Sequence, residues 1–147
     1  MTHQEIGSTY RETGAAGAKQ LELVVLLYGA LLDDLRRSIQ SIRARNIETR
    51  TFELQHALRI LEQLQGSLNM DEGGEVAANL EHLYSYVRAK IIEAQWKVSE
   101  DILQSQIDLL APIRDAWKQA FLQQEALQGT EQNLPAEQGH STFECRT

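Results

Sequence analysis

The chain has 147 residues, 42% of them apolar and 24% charged, with a formal charge of -7 at neutral pH. That length supports one compact domain with a core needing neither disulfide nor metal, and the acidic balance speaks against general affinity for nucleic acid or anionic lipid. The single cysteine, Cys145, excludes an internal disulfide and fits a reducing compartment.

The opening stretch, MTHQEIGSTYRETGAAGA, lacks the basic and apolar regions of a secretory signal, so the expected location is the cytosol. Residues 1–18 read as a polar, mobile arm carrying two isolated apolar residues, Ile6 and Tyr10. Their separation of four would place them together on one helical turn.

The first helix is predicted over about residues 20–45, with Val24, Tyr28, Leu31, Leu35, Ile39 and Ile42 on one face. Its first half is apolar almost all round, because Leu23, Val25, Leu26, Leu27 and Leu32 fill the flanks, which predicts burial on more than one side. The run Leu23–Leu32 is about half of what spans a bilayer, so membrane insertion is not expected. The second helix, about 49–68, presents Leu54, Leu58, Leu61, Leu64 and Leu68; NMDEGG then ends it.

The third helix, from about Gly74 to Val98, has apolar residues on two sides. Taking Leu80 as the centre of one face, Val76, Leu83, Tyr84, Val87, Ile91 and Ala94 fall within about 60° at 100° per residue. Tyr86 and Ile92 lie about 120° to either side and Trp96 nearly opposite. A helix that only built a bundle would need one stripe. Taken singly, Tyr86, Ile92 and Trp96 read as ordinary packing against loops or a neighbouring helix; as a set they suit a protein that lays a partner's amphipathic helices into grooves between its own.

Ser99, followed by Glu100 and Asp101, reads as the cap of a fourth helix running to about Gln124, with a kink expected at Pro112. From there to Thr147 no periodicity remains and a disordered tail is expected. Short connections make neighbouring helices antiparallel. The expected architecture is all-α: an antiparallel up-down four-helix bundle over 19–124, between an arm (1–18) and a disordered tail (125–147).

Few residues suggest chemistry. Glu53 and His56 have the Glu-x-x-His spacing of a carboxylate-bridged metal site, but lie off the leucine face without a second pair, and read as solvated. A calcium loop counted from Asn69 fails, because Leu80 stands where the bidentate glutamate belongs. Gly73 and Gly74 lack the Lys-Ser/Thr of a phosphate loop, and Cys145 and His140 sit in the tail, where no catalytic geometry is held. Arg36, Arg37, Arg43, Arg45 and Arg50 read as a solvated helix end. No enzyme, metal or cofactor is expected.

Three motifs, in order, carry a family resemblance. LNMDEGGEVAANLEHLYSYVRAKIIEAQ resembles the pattern of the flagellin-specific export chaperones of bacterial flagella, the FliS family, with its glycine pair, Asn-Leu and Leu-Tyr-x-Tyr. LLYGALLDDLRRSIQSI is similar to the family's first helix and IRDAWKQAF to its closing one, so the likeness covers about residues 6–122. The chain departs from the pattern at Gly29-Ala30, at Lys19-Gln20 and at Pro112.

The resemblance implies a cytosolic chaperone that binds the disordered C-terminal segment of flagellin one to one, blocks premature polymerisation and keeps it competent for type III export. No cofactor is implied, and the export gate and other flagellar proteins are further candidate partners. Tyr10, with Ile6, is expected to cover a groove when no client is bound. Tyr28, Leu80, Tyr84 and Val87 should shape the core beside it, and Leu54, Leu58, Leu61, Leu83, Tyr86 and Ile91 are candidates for contact. The alternative left open is a self-associating helical adaptor without a flagellin client.

Overall fold

The computed structural model describes the backbone of residues 14–141 and, within it, the side chains of residues 17 and 19–129; Ile6 and Tyr10 lie outside. Four helices follow one another, α1 (Gly14–Arg43), α2 (Ile47–Gly66), α3 (Met70–Lys97) and α4 (Glu100–Ser141), with no strand among the described residues.

Each helix start after the first has a capping side chain. Asn46 accepts the Thr49 N–H at 3.1 Å, Asn69 accepts that of Glu72 at 3.1 Å, and Ser99 accepts that of Ile102 at 3.1 Å. Each satisfies a donor that a helix start leaves without an intrahelical partner. Connections of two or three residues force the chain to reverse, and the result is the expected up-down bundle.

Asn69 also moves one boundary. It starts α3 at Met70, where the glycine-rich stretch predicts a loop, and the break falls inside the helix at Gly74 (φ 56°, ψ -131°). Only glycine adopts that backbone readily. At the other end Val98, in the left-handed conformation (φ 51°, ψ 54°), closes α3. That position normally takes glycine, and a β-branched residue there costs about 1–2 kcal/mol.

α4 continues as one helix through Pro112, where Pro112 and Asp108 are both exposed, so the carbonyl that loses its donor lies on the solvent side. One expectation needs correction: the first half of α1 is not buried on several sides, since Leu23 is 41% and Leu26 63% exposed. The backbone of α1 closely approaches α2 and α4, and among the described residues nothing covers Leu23 and Leu26 on its other face. The α4 backbone continues past Gln124 to Ser141. Burial nonetheless ends at Gln124, the last buried side chain among those described.

The core takes Val24, Leu31 and Leu35 from α1, Leu54, Leu61 and Leu64 from α2, Leu80, Val87 and Ile91 from α3, and Leu103, Leu110 and Trp117 from α4. At its centre Tyr28 joins three helices. Its ring meets Tyr84 of α3 edge-on at 6.1 Å and Trp117 of α4 at 6.2 Å, and its hydroxyl hydrogen-bonds that of Tyr84 at 2.8 Å.

Candidate functional site

The packing is uneven. α1 lies close against both α2 and α4, whereas α3 makes far fewer close backbone approaches to α2 and to α4. The helix with apolar residues on two sides is therefore the one with open flanks. Its inner stripe is core: Leu80, Tyr84, Val87 and Ile91 are 1% exposed or less. Half-buried Val76 and Leu83 of α3, with Leu58 of α2 and Leu68 of the connection after it, pack at the margin of that core.

Outside them stand Tyr86 at 50%, Ile92 at 46% and Trp96 at 80% exposure. The Lys90 ammonium lies 5.7 Å from the centre of the Tyr86 ring, and Lys90 and Lys97 both reach Glu93, at 3.2 and 2.8 Å. Hydrogen bonds from Lys97 and Lys90 hold the Glu93 carboxyl below its ordinary value. Glu93 thus holds both lysines on this ridge, with the Lys90 ammonium over the face of the Tyr86 ring.

Of the predicted site residues, Tyr28, Leu80, Tyr84 and Val87 sit where a core-shaping role requires. Leu54, Leu61 and Ile91 are fully buried, so a partner cannot touch them in this conformation. Of the remaining candidates among the described side chains, Leu58 and Leu83 are half-buried and Tyr86 is exposed.

Sequence reasoning passed over a polar seam between α1 and α2. Asp34 is only 3% exposed, and its Oδ2 lies 2.6 Å from Nδ1 of His56. The Ser41 hydroxyl donates to Glu53 at 2.9 Å and accepts from Thr49 at 2.8 Å. Glu53 and His56, read as merely solvated, thus pair across the interface. The signal was present: Asp34, Ser38 and Ser41 recur at spacings of four and three, a polar stripe beside the apolar one.

Burial pushes the Asp34 carboxyl above its ordinary value of 3.8, against the His56 hydrogen bond and the His56 and Arg37 charges, while Glu53 adds to the rise. A carboxyl whose folded-state pKa is raised contributes most to stability when protonated, and that contribution is lost as pH rises through the folded value. Asp34→Asn, which cannot ionise, is therefore expected to gain stability relative to the parent as pH is raised from about 4 to 7. Urea unfolding at a series of pH values measures this, and parallel stability curves would contradict it.

Comparison with known proteins agrees with this geometry. Residues 2–125 match the family profile described as flagellar protein FliS. The chain is 28% identical over 104 residues to the flagellar secretion chaperone FliS of Vibrio cholerae, covering 71% of this chain and 76% of that protein. It is also 28% identical to the proteins of the same name from Bacillus subtilis, over 82% of this chain and 90% of the relative, and Escherichia coli, over 80% and 87%. None of the helices among the described residues is long and apolar enough to cross a membrane. With the profile matching nearly its whole length and its helices forming the expected bundle, the chain belongs to the FliS family of flagellar secretion chaperones.

Proposed function

We propose that this protein binds the disordered C-terminal segment of flagellin in the cytosol, one to one and without catalysis, and holds it unpolymerised until export. The observation that carries the reading is the apolar surface left on α3, at Leu83 on the inner margin and at Tyr86 outside it, in a member of a secretion-chaperone family. A segment that folds on binding covers such a surface at moderate affinity, because part of the interaction energy offsets its ordering, and so it stays releasable. Leu58, Leu83 and Tyr86 make the contacts. Tyr28, Leu80, Tyr84 and Val87 fix the wall behind them, and the Ile6–Tyr10 arm covers the groove when the client is absent. The export gate and other flagellar proteins are further partners of the loaded complex.

Seeded polymerisation of flagellin from the same organism tests this. An equimolar amount of the chaperone is expected to suppress filament growth followed by light scattering, and a flagellin truncated at its C-terminal segment should not sequester the chaperone. Undiminished growth would overturn the reading. Trp96 and Ile92, on the far side of α3, favour a second reading in which copies of the chain associate through that face. Sedimentation of the isolated chain at several concentrations separates the two.

A further inference from the structure

α3 is interrupted near its start and loosely packed along its length. Its backbone breaks at Gly74 (φ 56°, ψ -131°), which has no Cβ to restrain it, and it closes on Val98, a β-branched residue held left-handed. Gly74 bends there without strain, whereas the left-handed valine is strained, and strained backbone gathers at switch regions. Between these joints α3 has fewer close backbone neighbours than α1, and its central anchor is the reach of Tyr84 across the core to Tyr28.

Toward α2, beside the apolar packing, it is held by the Gln65 side chain acting as a clasp. The Gln65 amide donates to the Ser85 hydroxyl at 3.2 Å, and its carbonyl accepts from Arg88 at 3.3 Å. Both bonds are neutral or singly charge-assisted and partly in contact with water, so each adds little to stability and exchanges readily with solvent. A glutamine that both donates and accepts across one groove closes it without making it rigid.

We propose that α3 is the movable wall of the partner groove. It pivots between Gly74 and Val98, is latched to α2 by Gln65, and admits a partner's helix when the latch opens. That the entering helix belongs to flagellin rests on the function proposed above; the motion itself does not. Opening exposes the half-buried Leu58 and Leu83 along the groove and leaves the tight α1–α2 and α1–α4 contacts intact.

Two measurements test it. In the free protein, amides of α3 from 76 to 97 are expected to exchange as a group at least tenfold faster than those of α1 from 24 to 39. Equal protection of the two helices would overturn the motion, whatever the partner. For the latch, Gln65→Cys and Ser85→Cys are combined with Cys145→Ser, and the thiols are bridged by a short bis-alkylating reagent that supplies the reach a cysteine lacks. With helicity unchanged by circular dichroism, the bridged protein is expected to bind a flagellin C-terminal peptide at least tenfold more weakly than the unbridged one. Equal affinity would overturn the gate. Gln65→Ala, which removes the clasp without a cross-link, should speed α3 exchange and raise the association rate several-fold; an unchanged rate also counts against the proposal. If the unbridged protein binds no flagellin peptide, the partner assignment fails and the exchange comparison alone decides the motion.

Discussion

Tyr84→Ala is expected to destabilise the protein by about 3–5 kcal/mol, the range for emptying a fully buried aromatic site. Tyr84 is 1% exposed and belongs to α3, the helix with fewest close neighbours, and its ring and hydroxyl both meet Tyr28. Removing it takes away packing volume and the hydroxyl contact together, where the backbone offers least compensation. Tyr84→Phe keeps the volume and is expected to cost about 1 kcal/mol, the net worth of one hydrogen bond. Urea unfolding of the three proteins by circular dichroism gives both numbers. A Tyr84→Ala variant within 1 kcal/mol of the parent would show that Tyr84 does not anchor α3.

Tyr86→Ala should do the opposite. Two positions along the same helix, this ring is half exposed, with the Lys90 ammonium over it rather than core around it. Its removal is expected to change stability by no more than about 0.5 kcal/mol, as surface substitutions generally do. Affinity for a flagellin C-terminal peptide should fall at least tenfold, about 1.4 kcal/mol, because aromatic anchors carry much of the energy of such interfaces. Ile91→Ala is the control: a buried side chain whose loss lowers stability by about 2–5 kcal/mol. Thermal unfolding with calorimetry separates the two quantities. Lost stability with unchanged affinity in Tyr86→Ala would remove this residue from the interface.

The contrast between Tyr84 and Tyr86 also marks what the sequence made legible. Period alone placed Leu80, Tyr84, Val87 and Ile91 on one face and Tyr86, Ile92 and Trp96 off it, and the structure keeps that division. Helix number and order followed from the same pattern, because each apolar stripe ends at a recognisable turn or cap. Period does not tell how closely two helices approach. Leu54, Leu61 and Ile91 were thus candidates for contact that proved to be core, and Leu23 and Leu26 were expected inside but lie outside.

Pairings between helices were hidden for another reason. Asp34 meets His56 and Gln65 meets Ser85 across separations of 22 and 20 residues, which no local spacing encodes. Asn69 was misjudged because a helix was expected to start at the glycines, whereas a cap needs only its own side chain and the amide three residues on.

The central claim is that the apolar surface beside α3 serves a client that folds on binding. Titration calorimetry of the protein with the C-terminal segment of flagellin from the same organism, at several temperatures, tests it most directly. The account predicts one-to-one binding, a negative heat-capacity change and a gain of helicity in the segment, as burial of apolar surface coupled to folding requires. No heat and no helicity, with full-length flagellin equally inert, would contradict it and leave self-association as the use of that surface.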